Sequence, residues 1–354
     1  MYREVSALAI CSVLSINTNN PLRTTGLKDS MLVTKTPLRI SFCGGGSDLP
    51  SYYERFGGHV VSSTIDKYVY LVLERSFHTE MTSLKYSVLE NVKSTDDIKH
   101  PIFRECLKMY GIKGVDICSL ADIPSGTGMG SSGSFTVSLV NLLRAYLGYP
   151  SDKELLAEKA CEIEMDILKE PVGKQDQYAA SYGGLNYYHF KKDGTVEVEP
   201  LQLSADLKDK LNSRLSLFYV GGERKASDIL KEQSRISEKR DADQKKMCSF
   251  ALQLRDDLRS GNIDSLGRLL DESWKLKKGL AAGISGDTID RVYEIGMENG
   301  AIGGKLLGAG GAGFMLFYSD EKDRAGLKAA LKGFREVPFK FENSGSQVVF
   351  DDRI

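Results

Sequence analysis

The fold of this chain is decided by the stretch Pro124-Ser125-Gly126-Thr127-Gly128-Met129-Gly130-Ser131-Ser132-Gly133. Glycines alternate with small residues, and two serines stand where a helix is expected to begin. Glycine accepts positive φ and lets the backbone approach a ligand with no Cβ in between. Free N–H groups that lead into a helix N-terminus bind anions, most often phosphate. The stretch therefore predicts a site for a nucleotide or a phosphorylated substrate.

Composition narrows the class of protein. The chain has 354 residues, more than a single hydrophobic core usually serves, so two domains are expected. Its 47 basic residues nearly balance 48 acidic ones. A nucleic-acid-binding protein usually has a basic surplus, so this partner is not expected. The 6 cysteines and 4 histidines are scattered, which indicates reduced thiols in a cytoplasmic protein and no zinc site.

The N-terminus has some features of a targeting signal. Residues 7–16 are mostly apolar, but Arg3 is offset by Glu4 and no small-residue cleavage site follows. We interpret residues 1–30 as a poorly structured extension, with Met31 as a candidate natural start, and a cleaved signal stays open as the alternative. No apolar run approaches the roughly 20 residues that a membrane-spanning helix needs, so no membrane partner is expected.

Periodicity predicts a strand over 33–43 that leads into a glycine cluster, and a further strand over 115–120. Residues 60–63, 68–74 and the more polar 82–89 are also rich in strand-forming residues, which predicts strands there. After the glycine-rich stretch, two helices follow in succession, the second from 152 to about 168. Strands are predicted over 185–190 and 195–201. From Ser204 the chain becomes helix-rich, so the predicted domains are 31–203, which contains the glycine-rich stretch, and 204–354.

Three architectures could contain the glycine-rich stretch. A Walker loop needs a lysine after its last glycine, and none is present. A dinucleotide fingerprint matches at Gly128, Gly130 and Gly133, but the predicted helix is followed by another helix rather than by a strand. Apart from these architectures, the stretch could be a glycine-rich turn with only a packing role, which is the simplest alternative.

The third architecture includes two other segments, residues 37–48 (PLRISFCGGGSD) and 305–314 (KLLGAGGAGF). The three segments, in this order, resemble the GHMP kinase superfamily, and the resemblance runs from about residue 35 to the C-terminus. It implies an α+β (α/β two-layer) kinase fold, in which an S5 domain 2-like N-terminal domain precedes a ferredoxin-like, helix-rich C-terminal domain. It also implies that ATP lies over the central stretch, with contacts to the residues Pro124, Gly126, Gly128, Gly130, Ser131, Ser132 and Gly133.

The same resemblance assigns catalytic roles. Asp176 lies in the segment that carries the family's catalytic aspartate, and Arg39 stands where relatives have Lys or Arg. A carboxylate that orients a hydroxyl and a cation that neutralises phosphoryl charge are what phosphoryl transfer requires. By resemblance, Glu164 and Ser132 are the Mg²⁺ ligands. The alternatives are a loop-capping role for Asp176, a strand-edge charge for Arg39 and a solvated helix face for Glu164.

The expected substrate follows from where the chain departs from galactokinases. Gly45 and Gly46 replace the Glu-His pair of those enzymes, whereas Asp48 is kept. This variant is similar to the sugar 1-kinase branch that contains D-glycero-α-D-manno-heptose 7-phosphate kinase and fucokinase. The resemblance implies transfer of phosphate from ATP to the anomeric hydroxyl of that heptose phosphate, on a route to GDP-heptose and surface polysaccharide.

The phosphate already on such a sugar needs cations. Arg224 and Lys225 are the first candidates, Lys67 and Arg104 the next, and each could instead be a solvated surface charge. The late glycine loop is expected to close on the site, so its residues Gly310 and Gly311 are candidate substrate contacts, and Lys305 is a further phosphate candidate.

Two other functions stay open. One is a fucokinase or another sugar 1-kinase, and the other is a non-catalytic regulator that binds ATP or sugar on the same fold. A dehydrogenase is disfavoured by the order of helices and strands. The expected partner is a small sugar phosphate, and assembly as a homodimer is left open.

Overall fold

The computed structural model describes residues 30–221, 238–281 and 283–353, which form two β-sheets with helices packed on both. The first part of the chain contains β1 (Met31–Cys43), α1 (Pro50–Phe56), β2 (Gly58–Arg75), β3 (Thr82–Lys85), β4 (Leu89–Val92), α2 (Pro101–Tyr110), β5 (Val115–Ala121), α3 (Ser131–Tyr146), α4 (Lys153–Cys161), α5 (Gln175–Tyr182), β6 (Leu185–Phe190) and β7 (Val196–Pro200).

The remaining elements belong mostly to the second sheet and its helices. They are α6 (Ala205–Ser213), β8 (Leu215–Gly221), α7 (Glu238–Arg259), α8 (Ser265–Lys277), α9 (Asp287–Glu298), β9 (Ala301–Leu306), β10 (Gly313–Ser319), α10 (Arg324–Ala330), β11 (Arg335–Glu336) and β12 (Gln347–Asp351).

The larger sheet has eight strands in the order β12-β1-β2-β5-β3-β4, and β6 joins β2 to β7. Its centre is β2, which pairs with β1 along most of its length and with both β5 and β6 at its ends. The C-terminal strand β12 returns to pair with β1. The predicted domain boundary near residue 203 stays a prediction. Strand β12, which belongs to the second predicted domain, pairs with β1 of the first.

A break in register aims β1 at the site. Thr34 hydrogen-bonds to α3 and Arg39 to α5, and these two helices pack on each other. In an uninterrupted strand an even and an odd position would face opposite sides of the sheet. The pairing of β1 with β2 shifts between Pro37 and Leu38, and such irregularities re-aim side chains. The shift therefore accounts for the direction of Arg39.

Hydrophobic burial joins the two sheets. The second sheet has the order β11-β8-β10-β9, and α8 packs on both β9 and β1. One cluster of buried residues runs from Phe42 in β1 through Leu254 in α7 and Leu269 in α8 to Leu316 in β10. The helices of the second half thus cover the face of β1 and β2 that α3 and α5 leave open, and they bring their own side chains next to β1.

Most predicted elements are confirmed, with three informative differences. Helices α1, α5 and α6 were not predicted, and the helix expected up to residue 168 continues after Cys161 as a π-helical segment, Glu162–Ile167. The predicted strand over 82–89 is a hairpin of two short strands. Helix α5 is short and has almost no amphipathic pattern because it is buried on most sides, so periodicity gives no signal.

Two further expectations concern cysteines and the membrane. Cys43, Cys106, Cys118, Cys161 and Cys248 are all free thiols, and Cys11 lies outside the described residues. None of the helices within the described ranges is long and apolar enough to cross a bilayer.

Candidate active site

A cavity of about 710 Å³ lies where β1, the glycine-rich stretch, α5 and the second sheet meet. Arg39, Asp48, Glu164 and Asp176 line it together. Side chains from the second half of the chain complete the wall, among them Ser273, Lys277 and Lys305. The structure therefore brings together residues as distant in sequence as Arg39 and Lys305.

The glycine-rich stretch has the backbone that the sequence predicts. Gly126, Gly128 and Gly130 have φ of 75°, 82° and 76°, a region that residues with a Cβ rarely adopt. Gly130 precedes the first turn of α3, a helix of 16 residues whose first two residues, Ser131 and Ser132, line the cavity. The partial positive charge of that helix end favours an anion there.

This stretch touches the late glycine loop through a pair of glycines. A Cβ added at Gly308 would lie 2.3 Å from the Gly128 Cα, and one added at Gly128 would lie 2.6 Å from the Leu307 carbonyl oxygen. Contacts below 3.0 Å essentially never occur for real Cβ atoms. The absence of a side chain at both positions therefore allows the second half of the chain to reach the predicted phosphate loop.

Arg39 and Asp176 form a close ion pair. Arg39 Nε donates to Asp176 Oδ1 at 2.8 Å, and Arg39 Nη2 lies 2.6 Å from the same oxygen. Nη1 donates to the Gly128 carbonyl at 2.6 Å, while the Arg39 backbone N–H donates to Met129. Arg39 is 4% exposed, which excludes a strand-edge charge. The Asp176 carboxylate stays 29% exposed, at the cavity.

Glu164 is buried in the π-helical segment. Ser132 Oγ donates to Glu164 Oε2 at 2.9 Å, and Gln177 Nε2 donates to Oε1 at 3.2 Å. The residue is 2% exposed, so it does not belong to a solvated helix face. Burial raises the pKa of Glu164 to about 7, although hydrogen bonds to Thr136, Ser132 and Gln177 oppose the shift. Single π-turns often occur at functional sites, and this one turns Glu164 towards α3.

Asp48 holds the start of α5. Its carboxylate accepts from the Gly46 N–H at 3.0 Å and from the Gln175 N–H at 3.1 Å. Burial, and then the nearby Asp176, raise the pKa of Asp48. A Cβ at Gly173 would lie 1.9 Å from Asp48 Oδ2, so glycine is required where this carboxylate meets the chain before α5. Both oxygens of Asp48 are therefore engaged with the backbone beside Asp176.

Sequence reasoning missed Lys277, at the end of α8. Its ammonium donates to the Leu306 carbonyl at 3.0 Å and to the Gly308 carbonyl. Lys305 donates to the Phe42 carbonyl at 2.9 Å. Burial lowers the pKa of Lys305 to about 8 and also lowers that of Lys277. A lysine on a helix with a clear apolar face is expected to be solvated. Only the burial of Lys277 in the folded structure distinguishes it from the other lysine of this helix.

The other predicted residues are placed as follows. Gly45 and Gly46 line the cavity through their backbone, as do Gly126, Gly128, Gly130, Ser131 and Ser132. Pro124 accepts a hydrogen bond from Thr127, and Gly133 packs against Asp176. Gly310 and Gly311 lie against Ile284, next to the lining residues Gly308 and Ala309.

Of the cations predicted for a substrate phosphate, Lys305 lines the cavity, whereas Lys67 and Arg104 do not. Lys67 bonds to Asp66, and Arg104 bonds to Glu105 and to the Ile98 carbonyl, away from the cavity lining. Arg224 and Lys225 lie outside the described residues.

Comparison with known proteins identifies a family and several relatives. The family model described as GHMP kinases N terminal domain matches residues 98–184, and that described as GHMP kinases C terminal matches residues 254–335. D-glycero-alpha-D-manno-heptose 7-phosphate kinase of Campylobacter jejuni is 29% identical over 313 residues, which cover 84% of this chain and 92% of the relative. L-fucokinase/L-fucose-1-P guanylyltransferase of Bacteroides fragilis is 24% identical, over 84% of this chain and 35% of the relative.

A solved structure has the same architecture. The crystal structure of a D-glycero-D-manno-heptose 1-phosphate kinase from Bacteroides thetaiotaomicron superimposes with a TM-score of 0.75 at 25% identity. The match covers 90% of this chain and 99% of that chain. The predicted two-part kinase fold is thereby confirmed.

The glycine contact yields a prediction. Gly308→Ala should destabilise the protein by about 1–3 kcal/mol more than Gly148→Ala, because the added methyl group must push the two loops apart. Gly148 is the matched control, since its φ of 72° equals that of Gly308 within 2° and a Cβ there meets no atom within 4 Å. Thermal unfolding and ADP affinity of both variants measure the effect. Equal behaviour of the two would show that the loop contact contributes nothing.

Proposed function

Because the chain belongs to the GHMP kinase family of ATP-dependent phosphotransferases, we propose that it transfers the γ-phosphoryl group of ATP to the C1 hydroxyl of D-glycero-α-D-manno-heptose 7-phosphate. The observation that carries the proposal is the Arg39–Asp176 pair, which lines the same cavity as the glycine-rich stretch and Gly45 and Gly46. The product would be the 1,7-bisphosphate.

In the proposed reaction, Asp176 accepts the proton of the C1 hydroxyl while the hydroxyl oxygen attacks the γ-phosphorus and ADP leaves. Both Arg39 contacts use Oδ1, so Oδ2 is the oxygen that can face the sugar. The guanidinium orients the carboxylate and places positive charge near the transferring group. The N–H groups of the glycine-rich stretch and of the α3 N-terminus would bind the ATP phosphates.

The residues beside this loop fit a magnesium ion. Glu164 supplies a carboxylate and Ser132 a hydroxyl, and their oxygens are 2.9 Å apart. Oxygen donors in small number are what Mg²⁺ takes from a protein when it also binds phosphates. The buried carboxylate, whose pKa is raised to about 7, would be stabilised in its charged form by a cation. The ion would supply neutralisation of phosphate charge.

A sugar that already carries phosphate suits the cavity. The small residues at Gly45 and Gly46 leave room, and Lys277 and Lys305 add positive charge to one wall. The two heptose kinases found by comparison are named for substrates with phosphate at different positions, C7 and C1. We propose the 7-phosphate because the curated relative named for it is 29% identical over most of both chains.

Asp176→Asn should lower kcat by roughly 10² or more, because the amide cannot accept the hydroxyl proton. The affinity for ADP should stay close to the wild-type value, since the nucleotide loop is untouched. Asp193→Asn, in an exposed turn where Asp193 bonds to Thr195, is the control and should leave turnover unchanged. Near-normal turnover of Asp176→Asn would remove Asp176 from this role.

Glu164→Gln should raise the Mg²⁺ concentration for half-maximal activity by about tenfold or more, because a charged oxygen ligand is lost. The ligand-free variant should unfold at an equal or higher temperature, since a buried carboxylate with no paired cation among the described residues is replaced by a neutral amide. Glu162→Gln, two residues earlier and ion-paired with Lys159, is the matched control. A wild-type response to Mg²⁺ in Glu164→Gln would exclude Glu164 as a ligand.

The substrate is tested by measuring ATP consumption with heptose 7-phosphate, heptose 1-phosphate, fucose, galactose, mannose and mevalonate. We expect the highest kcat/KM for the 7-phosphate and a product with phosphate at C1 by ³¹P NMR. A higher kcat/KM for fucose would favour the alternative sugar 1-kinase. Activity with mevalonate alone would overturn the sugar assignment.

A further inference from the structure

Two lysines, Lys277 and Lys305, are buried in the cavity wall. Lys277 is 9% exposed and Lys305 5%, and both line the cavity. Their ammonium groups donate hydrogen bonds to the backbone carbonyls of Phe42, Leu306 and Gly308. Among residues 30–221, 238–281 and 283–353, neither ammonium has a carboxylate oxygen within 4.0 Å. A buried ammonium that lacks a counter-ion is costly, so its retention needs a reason.

Asp176, a carboxylate that also lines the cavity, is paired with Arg39 rather than with these lysines. Arg39 already has Asp176 as its counter-ion, so that pair is close to neutral. Burial lowers the pKa of Lys277, and the positive charges of Lys305 and Arg39 lower it further. The three cations therefore share one region of the cavity wall. When both lysines are protonated, the wall holds about two unmatched positive charges. A terminal phosphoryl group carries about −1.5 to −2 charges near pH 7 and accepts several hydrogen bonds.

We infer that Lys277, together with Lys305, forms the binding site for a terminal phosphoryl group in this cavity. The inference rests on the proposed kinase function only in its choice of ligands, which are the γ-phosphate of ATP and the phosphate carried by the sugar. Binding draws the Lys277 ammonium from its carbonyl partners, of which Gly308 belongs to the loop that contacts Gly128. Lys277 thus links the phosphate to the contact between the two glycine loops.

The neighbouring lysine provides a matched control. Lys278 follows Lys277 directly in the chain but is paired with Asp290 at 3.0 Å, is 34% exposed and does not line the cavity. Lys277→Met removes the buried charge and keeps the length of the side chain, and Lys278→Met removes a charge outside the site. Lys277→Gln, which keeps an N–H donor without a charge, serves if the methionine variant does not fold.

Calorimetry should compare four probes: ADP, the non-hydrolysable ATP analogue AMP-PNP, heptose 7-phosphate and unphosphorylated heptose. If the ligand is the γ-phosphate, Lys277→Met should lose about tenfold or more of its affinity for AMP-PNP and less than about threefold for ADP. If the ligand is the sugar phosphate, heptose 7-phosphate should lose affinity and heptose should not. Lys278→Met should bind all four probes like the wild type.

Wild-type affinities in both lysine variants at position 277 would overturn the inference. So would an equal loss for probes with and without the added phosphate, because a purely structural role predicts no such selectivity. The nucleotide pair tests the lysines even if the protein does not act on heptose phosphate. A failed substrate assignment is therefore distinguishable from a failed phosphoryl site.

Discussion

The ion pair between Arg39 and Asp176 is the interaction on which the site depends. Through it and two adjoining hydrogen bonds, β1 is joined to α5 and to the carbonyls of Gly128 and Met129. Such a buried pair contributes little net stability, because desolvation offsets most of the attraction. The pair instead fixes the relative positions of three segments that are distant in sequence, because the guanidinium can bond to all its partners in only one arrangement of them.

The small residues around this pair follow from the same requirement. Gly133, in the first turn of α3, leaves no room for a Cβ, because one would lie 2.7 Å from the Asp176 Cβ. Helix α5 can therefore lie against α3 closely enough for Asp176 to reach Arg39. The contact of Gly308 with Gly128 does the same for the second half of the chain. Close backbone approach at these points, rather than side-chain packing, sets the shape of the cavity.

The cavity also separates charge. Acidic groups come from the first part of the chain, at Asp48 and Glu164, where burial raises both pKa values. Basic groups come from the second half, at Lys277 and Lys305, where burial lowers both. Each group is thus held in an environment that disfavours its charged form when no ligand is present. A bound phosphate would stabilise the charged form of the lysines, and a divalent cation would stabilise the charged form of the carboxylates.

The amino-acid sequence by itself determined the glycine-rich stretch, the strand before it and the candidate roles of Arg39, Asp176 and Glu164, because glycine spacing and residue order along one segment are local properties. Only the tertiary structure decided that Glu164 lies in a π-helical segment, that α5 is a helix and that Lys277 reaches the cavity. These features depend on burial against distant segments. The residue pattern of a single helix does not indicate which of its polar side chains a distant sheet will bury, so periodicity could not predict these features.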